Sequence, residues 1–275
     1  MFLFKYDDNT IFLSQKRDEN LTSELYPMHA HQFCELLYIL EGDFKYTVEG
    51  HTYDLHPGSL LLMRDSEAHT PHLKSVQAYE RIVIQFPFDF LETQETDIYD
   101  LIYAHPLGQG NLFLGDKEQA RFLHSLITKV MVKEKTEGLQ RERTRALLLI
   151  ILRELIQIRK SFPTSDKGPN TDLTLEENLI RYINENLTTI KSLEAIEKEF
   201  FFSVSYLNRI FKKATGSSIW TYIIQKRLLM ARGMLRSGTP AALVSSNCGF
   251  EDYSSFYRQY KKRFGISPTK ERTKG

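Results

Sequence analysis

Ser203-Val-Ser-Tyr-Leu-Asn-Arg-Ile-Phe-Lys-Lys213 and Asp252-Tyr-Ser-Ser-Phe-Tyr-Arg-Gln-Tyr-Lys-Lys262 decide how the C-terminal part of this chain is read. Each segment opens on a residue whose side-chain oxygen can cap a helix. Arg209 then aligns with Arg258, an aromatic follows two places on, and a Lys pair closes each segment. At helical spacing Leu207, Ile210 and Phe211 turn inward in the first segment, leaving Ser205, Asn208, Arg209 and Lys212 outside. In the second, Phe256, Tyr260 and Phe264 turn inward, with Ser254, Ser255, Tyr257, Arg258, Lys261 and Lys262 outside.

A shorter helical stretch precedes each segment. Ser192 stands as the cap of one from Leu193 to about Phe200, and Thr239-Pro240 opens the other, with Gly249 supplying the turn. Two short helices, the second offering donors near its start, meet the requirement of a helix-turn-helix, whose second helix enters the major groove of DNA. Repetition of the unit implies repeated contacts. Between the two units, Ser218 to about Arg236 reads as a longer helix carrying the only Trp, Trp220. Upstream, Leu179, Ile180, Ile183 and Leu187 form one apolar stripe.

Charge agrees with a polyanion partner for this part of the chain. From Asp172 to the end there are 17 Lys and Arg against 10 Asp and Glu, a net of +7. Residues 1–171 hold 19 against 25, so the overall charge of +1 conceals a basic C-terminal third.

These residues resemble the DNA-binding domain of the AraC/XylS family of bacterial transcription regulators. The resemblance is carried by Ser203-x-x-Tyr-Leu-x-Arg-x-Phe-Lys212, Gly216, Arg227 to Leu229 with Ala231, and Gly249-Phe-x-Asp-x-Ser-x-Phe-x-Arg258. Lys261, Gly265 and Ser267-Pro268 complete it. It implies an all-α domain of about seven helices over residues 173–275, with helix-turn-helix motifs at about 192–213 and 240–263. The DNA-binding residues it implies are Ser205, Tyr206, Asn208, Arg209, Lys212 and Lys213 in the first unit. In the second they are Tyr253, Ser254, Ser255, Tyr257, Arg258, Lys261 and Lys262. Arg can pair with guanine and Asn with adenine, whereas the Lys residues suit phosphate. Three positions depart from the family pattern. Glu197 and Ser245 replace a small Ala in the first helix of each unit, and Glu271 replaces a Tyr before Arg272. A carboxylate at Glu197 has to face solvent, because burying it unpaired is costly.

The N-terminal half reads differently. His31 to Leu40 is rich in aromatic and branched residues and stops at Glu41-Gly42-Asp43. Phe44, Tyr46 and Val48 alternate with polar neighbours, Glu49-Gly50 closes a hairpin into Thr52 to Leu55, and Pro57-Gly58 leads into Leu60 to Met63. Arg81 to Phe86 is a later strand. Residues 28–90 therefore predict a β barrel or sandwich. After Asp116, apolar residues from Phe122 to Met131 recur at helical spacing. A break at Glu137-Gly138 precedes a second helix from about Leu139 to Lys160, giving a helical hairpin over about 116–160. Ala146 to Leu152 is apolar on every face, which fits burial against the barrel or a homodimer seam. Ser161 to Asn170 is polar, with two Pro and one Gly, and marks a linker over 161–172.

His29-Ala-His31, followed by Glu35 and Gly42, resembles the first cupin motif, and His69 falls where the second motif places its last metal-ligand His. His72 is a rival for that place, and Asp65 stands where a Pro is common. The resemblance implies a cupin-like effector-binding and dimerisation domain over 1–160, with the barrel in about 1–115. Alternation puts His29, His31, Phe33, Glu35, Leu37 and Ile39 on one face. Two or three imidazoles with a carboxylate could hold Fe, Mn, Ni or Zn. The favoured reading is instead a small-molecule pocket lined by His29, His31, Glu35 and His69, with Phe33 and Tyr46 as walls, taking a polar effector such as a sugar. No cofactor is expected.

Other classes are poorly supported. At 41% hydrophobic and 26% charged residues over 275 positions the chain is globular. Cys34 and Cys248 are too far apart for a disulfide framework or a CxxC site, which fits a reducing cytosol. The opening MFLFKYDDNT meets acids too early for a signal peptide, and the longest apolar run is too short for a membrane span. The expectation is a cytoplasmic, homodimeric, non-enzymatic activator that binds double-stranded DNA and, through it, RNA polymerase. A metal-dependent cupin enzyme fused to a DNA module, or a DNA-binding dimer indifferent to ligand, are the alternatives.

Overall fold

Among the described residues the N-terminal part holds nine strands: β1 (Phe2–Asp7), β2 (Phe12–Glu19), β3 (Cys34–Glu41), β4 (Phe44–Val48), β5 (His51–Leu55), β6 (Leu60–Met63), β7 (His69–His72), β8 (Ala78–Phe86) and β9 (Leu112–Phe113). The computed structural model describes residues 1–19, 26, 28–65, 67–73, 78–93, 95–161, 173–236 and 238–271. Contacts divide the chain into two units, Met1–Asp172 and Leu173–Gly275. Of the expected linker over 161–172, all but Ser161 lies outside the described residues.

In the first unit a six-stranded sheet, ordered β1-β2-β8-β3-β6-β9, faces a three-stranded sheet, β5-β4-β7. The central strand β3 is buried on both faces, which is why Leu36 to Leu40 are apolar without a break. Leu37 and Ile39 join Tyr46, Val48, Leu55, Leu61 and Tyr79 in the core between the sheets. Cys34, Leu36 and Tyr38 face the other way, into a cluster completed by helices. Glu49 and Gly50 both take positive φ, as a two-residue hairpin turn requires.

Three helices cover that outer face: α1 (Thr96–Tyr103), α2 (Lys117–Val130) and α3 (Glu137–Ser161). Asp116 forms a capping box with Gln119 at the start of α2. The expected break at Glu137-Gly138 is instead the first turn of α3, and the chain turns at 131–136. Gly138 is tolerated there because the first turn has no intrahelical N–H partners to lose. In α3, Leu148, Ile151, Leu152 and Leu155 are fully buried against the sheet, while Ile150 stays 45% exposed. Burial therefore accounts for most of the Ala146–Leu152 run.

The start of β3 is a second correction. The strand begins at Cys34, not His31, because the chain bends at Gln32 and Phe33. His29 is instead paired in an isolated bridge with His69, each backbone N–H reaching the other's carbonyl at 3.1 and 2.9 Å.

The second unit contains seven helices among the described residues: α4 (Leu175–Glu185), α5 (Leu193–Phe200), α6 (Val204–Thr215), α7 (Ile219–Arg236), α8 (Ala241–Asn247), α9 (Tyr253–Phe264) and α10 (Pro268–Glu271). The central α7 serves both halves. Its Tyr222 ring meets Phe211 of α6 at 5.2 Å, and its Leu228, Ala231 and Leu235 pack with Val244, Cys248, Phe256 and Tyr260. Arg227, buried on α7, donates to the backbone carbonyls of Leu187 at 2.8 Å, Gly249 at 2.9 Å and Ile190 at 2.5 Å. One guanidinium thus ties the α4–α5 connection to the turn before α9. Gly249 has φ +79°, and a Cβ there would lie 2.5 Å from the Thr188 carbonyl oxygen. Among the described residues no helix is long and apolar enough to cross a membrane.

Candidate functional site

The two helix-turn-helix units are built alike from their ends inward. Ser203 Oγ accepts the Tyr206 N–H at 3.3 Å, and an Asp252 carboxylate oxygen accepts the Ser255 N–H at 2.7 Å. Each cap satisfies an N–H that α6 or α9 cannot bond internally. Both helices end on a left-handed glycine, Gly216 or Gly265, at the same distance from the cap. Ser192, by contrast, occupies the N-cap of α5 but makes no capping bond through its side chain.

On α6, Ser205, Arg209, Lys212 and Lys213 are exposed; on α9, Tyr253, Ser254, Arg258, Lys261 and Lys262 are exposed. Tyr206, Ser255 and Tyr257 are half-buried at the edges of these faces. Asn208 is half-buried. Its side-chain oxygen accepts the Ile219 N–H at 3.0 Å, fastening the start of α7. The oxygen keeps a second lone pair and the amide its NH2 donors.

Two aromatic residues at the first turn were absent from the expected set. Phe201 is 91% exposed and adopts φ +57°, and Phe202 stacks on Tyr206 at 5.1 Å. The Arg209 guanidinium lies 5.3 Å from the Tyr206 ring, so Tyr206 orients the side chain expected to read a base. A bulky residue at the turn between two helices, where glycine fits best, was the available signal.

Each departure from the family pattern has a local accommodation. Glu197 is exposed, as its charge demands. Ser245 is buried but small, and its carbonyl receives the Phe250 N–H at 3.1 Å. Glu271 is buried and accepts from Arg232 at 3.1 Å and from the Tyr260 hydroxyl at 3.0 Å, holding α10 to α7 and α9.

In the first unit, His29, His31 and His69 come together with nitrogen atoms within 4.8 Å of one another. Glu35 stands among them. One of its oxygens lies 2.8 Å from His31 Nε2, 2.7 Å from Gln85 Nε2 and 3.9 Å from His69 Nε2. Burial would push the Glu35 carboxyl up and the His31 imidazolium down. Their mutual bond outweighs burial in both, aided by His69 and Gln85 at Glu35 and by the Phe33 carbonyl and Asp65 at His31, holding Glu35 at about 2 and His31 above its ordinary value. His69 goes the other way: burial, with two imidazoles beside it, lowers it to about 4 despite Glu35, so that ring is neutral.

Tyr46 is buried and nearly parallel to His69, with 6.1 Å between ring centroids. Phe33 is only half-buried, its ring 6.4 Å from His31, so it sits at the rim rather than in the wall. His72, the rival of His69, bonds Thr47 at 2.7 Å. Asp65 accepts the Tyr103 hydroxyl at 2.8 Å. Gln85 and Arg81 were also missing from the expected set. Arg81 stacks at 4.3 Å on Tyr79 and donates to Asp18 at 2.5 Å. The signal was present in Arg81-Ile-Val-Ile-Gln-Phe86, where two polar residues of the same parity interrupt an apolar strand.

Comparison with known proteins matches both domains. A model of the AraC-like ligand binding domain matches residues 17–152, and a helix-turn-helix domain model matches residues 196–274. The HTH-type transcriptional activator RhaS of Mannheimia succiniciproducens is 24% identical over 89% of this chain and 88% of its own. The RhaS of Escherichia fergusonii is 25% identical over 91% and 89%. The Msm operon regulatory protein of Streptococcus mutans is 24% identical over 86% and 82%. With a matched barrel preceding a matched pair of capped helices, this chain belongs to the AraC family of transcription regulators.

Proposed function

We propose that this protein is a one-component activator of transcription in the cytoplasm, reading double-stranded DNA through α6 and α9 and responding to a small polar effector held in its barrel. The observation that carries the reading is the matched pair of capped helices, each presenting an exposed Arg, Arg209 or Arg258, at the same place. Ser205, Asn208, Tyr253, Ser254 and Ser255 complete the base-reading set. Lys212, Lys213, Lys261 and Lys262 supply phosphate contacts that raise affinity without choosing sequence. Tyr206 and Tyr257 flank the two Arg residues.

On this reading residues 1–160 sense and dimerise, 161–172 link, and 173–275 bind DNA. The mix of Glu35, Gln85, Arg81 and imidazoles supports an oxygen-rich effector such as a sugar, because every one of these groups can hydrogen-bond a hydroxyl. Ile150 on α3 and Phe122 on α2, both exposed and apolar, support a homodimer seam on the outer face of the barrel. The effector acts by binding one arrangement of the dimer better than the other, and an activator so arranged presents a surface to RNA polymerase. On this account the chain regulates rather than catalyses, as the transcription-regulator models and activator relatives it resembles support.

Footprinting on DNA upstream of its own and neighbouring genes tests the reading. Two protected segments about one helical turn apart are expected from two engaged helices. Diffuse protection erased by modest salt would refute sequence-specific binding.

A further inference from the structure

The two reading helices share a cap and an Arg, but not what supports the Arg. Tyr206 and Phe202 stand three and seven places before Arg209, whereas the matching places before Arg258 hold Ser255 and Glu251, neither of which has a ring. In the first unit the two rings and the guanidinium form a column. Phe202 stacks on Tyr206 with 5.1 Å between centroids and 29° between planes, and the Arg209 guanidinium lies 5.3 Å from the Tyr206 centroid. The backbone beneath the column is held as well. Ser203 Oγ accepts the Tyr206 N–H at 3.3 Å, and the N–H of Phe201, just before Phe202, bonds the Glu197 carbonyl at 3.0 Å. Phe202 remains 44% exposed, so core packing is a poor reason for its size.

We propose that Phe202 is a positioning residue for base reading: through the Tyr206 ring it holds Arg209 in its reading orientation, a device that α6 has and α9 lacks. A free Arg side chain samples many rotamers, and fixing it on a base pair costs that freedom. A ring against the guanidinium removes part of the cost before DNA arrives and leaves all five N–H donors for a base. Among the described residues no carboxylate pairs with Arg209, so the ring is what steers it. Tyr206 is only half-buried, and the stack with Phe202 supplies the constraint on its ring that the core does not. The inference rests on the DNA-reading role given to α6 above and adds that the two Arg residues are unequal. Arg209 meets the groove with its direction set, whereas Ser255 and Glu251 give Arg258 no such support.

The test measures binding of full-length protein to the footprinted operator with each base pair replaced in turn, the Trp220 transition in urea checking that every variant is folded. Arg209→Ala identifies the base pair that Arg209 reads, where discrimination between bases should fall at least about 10-fold. Phe202→Leu keeps apolar bulk without a ring and should lose about 2- to 5-fold of discrimination at that same base pair. It should leave the base pair read by Arg258, and the dependence of affinity on salt, as they are. Phe202→Tyr, which keeps the ring, should restore the discrimination. Added to Arg209→Ala, Phe202→Leu should have no further effect on base choice. The proposal is overturned if Phe202→Leu leaves discrimination at the Arg209 base pair unchanged, if it weakens all sequences alike, or if Phe202→Tyr fares no better. An Arg209→Ala variant with unaltered base choice would instead sink the DNA-reading role of α6 itself, and the proposal with it, so the two failures are told apart.

Discussion

Phe201→Gly should make the C-terminal unit more stable and worse at its task. Phe201 is the residue after α5, with φ +57° and ψ +27°, and its N–H bonds the Glu197 carbonyl at 3.0 Å. That left-handed conformation costs a residue with a Cβ about 1–2 kcal/mol. At 91% exposure the ring gives almost no burial in return. Glycine removes the strain but gains freedom in the unfolded chain, which takes back about 0.5–1 kcal/mol. The net is a stabilisation of about 0.5–1 kcal/mol, or about 2–8 °C in Tm for a unit of this size. Trp220 is the only Trp and lies on α7, so its fluorescence during heating reports this unit alone. Strain retained without a packing reward points to a task at the surface. Operator affinity measured on the same samples should therefore fall severalfold. A Tm that is unchanged or lower would refute the strain argument, and unaltered affinity would refute the functional half.

Arg227→Ala leaves three buried carbonyls without their donor and should destabilise the same unit by about 3–5 kcal/mol, read as an earlier Trp220 transition in urea. Arg258→Ala should weaken operator binding by about 1–3 kcal/mol and relax choice at one or two base pairs, whereas Lys261→Ala should weaken all sequences alike and reduce the salt slope by about one. Equal loss on random DNA would make Arg258 a phosphate contact. For pH, Asp8 is the informative group. Burial would raise its carboxyl, but the Ile11 and Thr10 N–H groups and Arg141 outweigh burial and hold it at about 2. A carboxylate lowered on folding contributes stability above its ordinary value of 3.8, lost as pH falls through about 2. Asp8→Asn should flatten that acid limb in a denaturation series, and an unchanged limb would show that the Asp8–Arg141 pair contributes nothing.

Legibility in the sequence followed the range of the interactions. The helix-turn-helix repeat is spelled within single helices: a cap, inward apolar residues and a terminal glycine, each a local requirement. β1 left a weaker trace, since it is an edge strand with Phe2 and Leu3 exposed, and only Phe4 and Tyr6 alternate with Lys5 and Asp7. Asn208 has a tie that the sequence does not display. It sits on the outward side of α6 by period, but the start of α7 returns to it and takes its oxygen.

The barrel cluster marks the other limit. Parity along one strand suggested His29, His31 and Glu35 together, yet the strand begins only at Cys34, and parity is not what unites them. The bridge from His29 to His69 brings two imidazoles together edge to face, with 4.4 Å between ring centroids, across forty residues of chain. The direct pairing of Glu35 with Gln85 in the β3–β8 ladder then fixes the carboxylate among them. Those two pairings are non-local, so the residue types were visible while their convergence was not. The division has a functional consequence. The DNA-reading faces, being set by local structure, should survive in the isolated C-terminal unit with their specificity intact. The barrel site depends on the whole β fold and should lose its ligands together in any variant that breaks the His29–His69 pairing. A Pro at His29, which removes the N–H donated to His69, therefore should abolish barrel ligand binding while leaving Arg258-dependent DNA specificity unchanged.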